Sequence, residues 1–151
     1  MECKNGKTLY CREADERVVR AFLSWQTDDR KLTVRDHVVI HMDGTAYYYL
    51  WNTELVHRSV YGDISIYITD NSDMDDKYYG FRGRRKEVAM TQTTKNRLNA
   101  FLQYYGFNEL EVHSSKKLFG VWHNGEELKN NTWYLLDKET KNLVEMGADY
   151  D

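Results

Sequence analysis

Proline is missing from this chain and cysteine is scarce: 151 residues hold no Pro and two Cys, Cys3 and Cys11. Two thiols near one terminus cannot build a disulfide framework, and the stretch before them does not read as a secretory leader. The expected compartment is therefore a reducing cytoplasm. No apolar run approaches the ~20 residues that a membrane-crossing helix requires, so no membrane partner is expected. A basic excess is also lacking. The formal net charge is −3, which excludes a chain whose overall field draws it to nucleic acid. Internal repeats and low-complexity segments are absent, and one domain over residues 1–151 is expected.

Familiar catalytic and metal-binding patterns are missing too. There is no Gly-x-Ser-x-Gly, no Walker phosphate loop and no dinucleotide fingerprint. No Cys-x-x-Cys and no helical His-x-x-x-His occurs. His37 and His41 share one side of a strand but stand about 13 Å apart by strand rise, too far for one metal. The acidic run from Asp70 to Asp76 fails as a calcium loop. From Asp70, the fifth position is Met74 and the sixth is Asp75; from Asp73, the fifth is Lys77. Pairs such as Glu109–Glu111 and Glu126–Glu127 arise readily in a chain with 24 acids. No catalytic residue, metal or cofactor is assigned. A catalytic reading would need carboxylates or histidines that converge in a concave pocket only in three dimensions.

What the chain does have is aromatic residues: 12 Tyr, 5 Phe and 4 Trp. These types favour strands, fill small cores and anchor interfaces. The clearest helix runs from Thr91 to Gly106, with Leu98, Phe101, Leu102 and Tyr105 on one face. Thr93 or Thr94 is the expected cap, and Gly106 the stop. A second helix is expected over Arg12–Trp25, with Ala14, Val18, Ala21, Phe22 and Trp25 inward. Glu13, Asp15, Glu16, Arg17 and Arg20 would line its outer face, and Thr27-Asp28-Asp29 would end it. A frayed strand at Thr8–Tyr10 is expected before it.

Strands are expected at Leu32–Met42, Thr45–Trp51, Glu54–Val60 and Ile64–Thr69, forming an antiparallel meander. Asp43-Gly44 reads as a two-residue type I′ turn, with further turns at Asn52-Thr53 and Gly62-Asp63. After the helix, strands are expected at Leu110–Val112, Leu118–His123 and Thr132–Asp137, with a last short one at Asn142–Met146. Asn124-Gly125 and Asn130-Asn131 mark turns. The fold class is α+β: a mainly antiparallel sheet of about seven strands with two helices packed on one face.

Between the meander and the Thr-rich helix lies a connection of about twenty residues, a length that tends to carry function. It opens acidic, turns aromatic at Tyr78, Tyr79 and Phe81, and closes basic at Arg82, Arg84, Arg85 and Lys86. These seven residues are the candidate binding site, with Lys95 and Arg97 just beyond. Tyr and Arg are common interface anchors. The same residues could stack on bases and pair with phosphates.

Three stretches resemble a group of small proteins encoded by bacteriophages and prophages. They are Tyr49-Leu50-Trp51-Asn52-Thr53-Glu54-Leu55-Val56, Thr93-Thr94-Lys95-Asn96-Arg97-Leu98-Asn99 and Gly120-Val121-Trp122-His123-Asn124-Gly125-Glu126-Glu127-Leu128. Arg20-Ala21-Phe22-Leu23 is similar to an Ala-Phe-Leu near that group's N-terminus. Trp51 and Thr53 stand where His and Gly are usual, and the Asp70–Met90 connection is longer than in the group. The resemblance implies the fold and a viral origin, and no biochemical role. The function expected is a non-enzymatic phage or mobile-element accessory protein. It would bind a host protein and inhibit or modulate it in the cytoplasm of the bacterial host. The alternative is nucleic-acid binding by the basic-aromatic segment 78–86. The oligomeric state has no signature in the sequence.

Overall fold

The computed structural model describes residues 1–24, 26–70 and 88–147. Helix α1 (Glu13–Phe22) precedes five strands: β1 (Asp28–Lys31), β2 (Asp36–Ile40), β3 (Ala46–Leu50), β4 (Thr53–Arg58) and β5 (Ile64–Ile68). Helix α2 (Gln92–Tyr104) follows, then β6 (Glu111–Ser114), β7 (Phe119–His123), β8 (Glu126–Leu128), β9 (Thr132–Asp137) and β10 (Asn142–Glu145). Seven strands form one sheet in the order β1-β2-β3-β4-β5-β9-β10, and β6-β7-β8 form a second, smaller sheet. Every pairing is antiparallel. The α+β class and the meander are as expected from the sequence.

Several boundaries differ, each for a physical reason. Thr91, rather than Thr93 or Thr94, caps α2: its hydroxyl accepts from the Thr94 amide at 3.4 Å. Thr94 is instead buried. Gly106 ends the helix as expected, with φ +82° and its amide bonded to the Gln103 carbonyl. Helix α1 stops at Phe22, and its last carbonyls are taken by a distant residue. Arg58 Nη1 donates to the Phe22 carbonyl at 3.0 Å and Nη2 to that of Ser24 at 3.3 Å. Trp25 lies outside the described residues.

The expected Leu32–Met42 strand is shorter, and the expected turn Thr27-Asp28-Asp29 gives way at Asp28 to a strand, Asp28–Lys31, paired to β2. Thr8–Tyr10 forms only a bridge, Glu2 to Thr8. Asp43-Gly44 does close a hairpin, but only Gly44 has positive φ, so the loop is wider than a type I′ turn. The tight turn after β3 sits at Trp51-Asn52, where both residues have positive φ (59° and 99°). Asn124-Gly125 turns with φ 52° and 81° as its sequence demands, and the strand it opens, β8, is one the residue pattern did not reveal.

The core lies between the sheet and the two helices. Leu98, Phe101 and Leu102 of α2 are fully buried, with Tyr105 beside them. Phe101 meets Phe22 edge-on at 5.1 Å and Tyr48 at 6.0 Å, joining α2 to α1 and β3. Burial of each such side chain stabilises by about 1.5–3 kcal/mol.

Polar atoms share this core. Arg97 is 4% exposed, Asp15 2% and Asp36 0%. The Arg97 guanidinium grips Asp36 with two bonds, Nε to Oδ1 at 3.0 Å and Nη2 to Oδ2 at 2.9 Å, while Nη1 donates to Asp15. The Tyr48 hydroxyl donates to Asp36 Oδ1, and the Thr33 hydroxyl donates to Oδ2 at 2.7 Å. Asp15, placed by periodicity on the outer face of α1, is thus an inward residue, and it faces the cation that makes its burial tolerable. Burial opposes ionisation of Asp36, but hydrogen bonds from Arg97, Tyr48 and Thr33 outweigh it and hold its pKa below the ordinary 3.8.

Two outcomes follow. Arg97→Ala strands two buried carboxylates and should lower the urea unfolding free energy by about 3–5 kcal/mol; a loss under about 1 kcal/mol would show the cluster to be energetically idle. Because the folded pKa of Asp36 lies below its unfolded value, its contribution is complete above that unfolded value and is lost as pH falls through the folded one. The stability–pH curve of Asp36→Asn should therefore have a shallower acid limb than wild type. Superimposable acid limbs would contradict this.

Candidate binding surface

Strand pleating divides the large sheet into two faces. Asp36, Val38, Ile40, Tyr48, Ile66 and Tyr134 belong to the helix-covered face. Register places the intervening residues in a row across all seven strands on the opposite face. It runs Asp29, Val39, Tyr47, His57, Ser65, Leu135, Val144. Tyr49, paired with His37, and Tyr67, paired with Trp133, flank the row. A bulge in β4 between the pairings of Tyr48 and Tyr49 brings Glu54 opposite Tyr49.

The rings form two groups. Tyr47 stands 4.8 Å from His57, 5.5 Å from His41 and 6.4 Å from Tyr49, and Tyr49 stands 6.1 Å from His37. Tyr67 and Trp133 meet at 5.2 Å. Tyr47, Tyr49, Tyr67 and Trp133 are half-buried, while Val144 is exposed at the far edge. Two carboxylates stand among them: Asp29 contacts His37 Nε2, and Glu54 lies 3.5 Å from His57 Nδ1. Burial, then the nearby Glu54 and Tyr47, raise the Tyr49 pKa, and burial raises that of Tyr67. Both phenols therefore stay neutral and able to donate. The surface offers broad aromatic contact with acidic and hydrogen-bonding edges.

Other concavities have a different character. A cleft of about 670 Å³ lies between the end of β5 and the β7–β8 hairpin, with Asp70, Glu127 and Lys129 in its wall. It gathers two carboxylates, Asp70 and Glu127, in one concave pocket, and its described lining contains no His, Cys, Ser or Thr. Among the described residues no group of three or more His, Cys, Asp and Glu could hold a metal. His123 is buried with Nε2 on the Asn108 carbonyl at 2.8 Å. Burial lowers its pKa, that bond opposing, and its position is structural. Cys11 is exposed, yet burial of its thiol, then Asp15 and Glu16, push the pKa up to about 11.

The residues expected to form the site, Tyr78, Tyr79, Phe81, Arg82, Arg84, Arg85 and Lys86, lie outside the described residues. Arg97, grouped with them as a possible phosphate contact, cannot serve: its guanidinium is consumed by Asp36 and Asp15 inside the core. The sequence marks the aromatic row only in part. Tyr47 and Tyr49 alternate with Tyr48 and so must share a face, but β9 carries no local mark that would place Trp133 beside Tyr67. No helix among the described residues is long and apolar enough to cross a membrane.

Comparison with protein-family models, curated proteins and solved structures finds no match to this chain. The candidate surface accordingly rests on geometry and chemistry alone. One consequence is directly measurable. Cys11 should alkylate slowly at neutral pH, its rate rising toward a midpoint near 11 rather than near an ordinary thiol value. A midpoint near 8.5 would contradict the desolvated, acid-flanked setting.

Proposed function

We propose that this chain is a non-enzymatic binding protein that docks a host protein on the face of its seven-stranded sheet opposite the two helices. The observation that carries the reading is the row through Val39, Tyr47, His57 and Leu135, flanked by Tyr49, Tyr67 and Trp133. Tyr and Trp bring large contact area with few rotamers to freeze and dominate interface energetics. Asp29 and Glu54 beside the rings favour a protein partner over a phosphate backbone, which they would repel. The resemblance to phage and prophage proteins supports a setting in which a small accessory protein occupies and modulates a bacterial target in the host cytoplasm. Segment 78–86 supplies a further contact in this reading.

A photoreactive residue placed at Val39 or at Leu135 tests the assignment in bacterial lysate. Both positions should yield the same discrete higher-mass adduct, and Leu118, ahead of β7, should not. Trp133→Ser should weaken capture by roughly tenfold or more, as a central aromatic anchor does. Equal adducts from Leu118, or none from either sheet position across candidate hosts, would remove the proposal.

A further inference from the structure

Away from the aromatic face, α1 and β1 enclose a groove of about 320 Å³ whose lining includes Arg17, Arg20, Arg30 and Lys31 against one carboxylate, Asp28. Register sets Lys31 beside His37 on the other face of β1, so three guanidiniums against Asp28 leave a formal +2 in the groove, and Glu16, 3.4 Å from Arg20, reduces it to +1. That charge is concentrated on a chain whose net charge is −3.

The pairing geometry leaves donors available. Arg20 meets Glu16 through Nε, and Arg30 meets Asp28 through Nε at 3.4 Å. Each guanidinium thereby keeps its two Nη groups as a fork, on side chains 57% and 58% exposed. Arg17 is braced across the groove by Nη2 on the Leu32 carbonyl at 3.4 Å. The groove also lies near the C-terminal end of α1, where bare carbonyls would repel an anion. Arg58 already occupies the Phe22 and Ser24 carbonyls, so that repulsion is compensated from within the fold.

Forked guanidiniums match phosphate oxygens bidentately, as a lone ammonium cannot. A monoester phosphate carries about −1.5 to −2 charge at neutral pH and three acceptor oxygens. Three oxygens give the guanidiniums of Arg17, Arg20 and Arg30 an acceptor each, whereas a single carboxylate would leave guanidiniums unsatisfied. We propose that this groove binds a terminal phosphate group, with Arg20 and Arg30 as its forked donors and Arg17 completing the cradle. The free anion and the phosphomonoester of a nucleotide share this chemistry.

Titration calorimetry with inorganic phosphate, thymidine 5′-monophosphate, thymidine and an unphosphorylated oligothymidylate tests the site. Phosphate and the monophosphate should bind saturably and compete, and thymidine should not bind. The monophosphate binding tighter than phosphate would identify a nucleotide as the source; equal affinities would identify the free anion. R20Q and R30Q should each weaken binding by roughly tenfold or more, since each removes a charged two-bond fork. A Lys116→Ala, Lys117→Ala control should change nothing, and thermal melts would confirm that the variants fold. Absence of saturable binding would overturn the proposal, as would affinities unchanged in R20Q and R30Q. Tighter, steeply salt-dependent binding of the oligothymidylate would overturn it in favour of a backbone track. Because Arg17, Arg20 and Arg30 lie off the aromatic row, neither outcome bears on protein docking there.

Discussion

A buried guanidinium holds this fold in register. Arg97 of α2 reaches Asp36 at the start of β2 and Asp15 in α1, residues 61 and 82 positions away in sequence. Only one placement of the three elements satisfies both carboxylates, because the guanidinium is planar and its donors point in fixed directions. Tyr48 and Thr33 then complete the shell of Asp36. Such a cluster need not add net stability over an apolar core, but every partial version of it is costly. It therefore acts chiefly by penalising misplacement of the helices on the sheet.

Both described helices pack on one face of the sheet. The same pleat that turns Tyr48 toward Asp36 turns Tyr47 and Tyr49 the other way, so the interior network and the half-buried aromatic row are two consequences of one strand. Insertion of β9 beside β5 then extends the row across the whole sheet and brings Trp133 to Tyr67. That pairing spans α2 and the small sheet, and it ties the C-terminal strands to the meander. Arg58 plays a comparable linking role: from β4 it closes the end of α1 and lies 5.4 Å over the Phe22 ring. In doing so it also conditions the basic groove nearby.

Much of this architecture was legible in the residues. The stripe Leu98, Phe101, Leu102 and Tyr105 is buried as its spacing required, and Asn124-Gly125 turns where its two residues tolerate positive φ. Alternation in Ile64–Ile68 identified a strand without help from any neighbour. The short strands β1 and β8 were not legible, since Asp28–Lys31 and Glu126–Leu128 carry polar sequences and exist only because a partner strand offers hydrogen bonds. Trp51-Asn52 escaped because a tryptophan in the left-handed region is unfavourable locally and is held there by the strands it joins.

Local pattern decided the elements, since helical and strand periods are written into every few side chains. Tertiary structure decided the inversions: Asp15 and Arg97 look like solvent-facing charges, and each is buried only because the other is present. No local rule can see a partner that far along the chain. The aromatic row and the arginine groove are of the same kind, since each is assembled from strands or helices that meet only when the sheet closes.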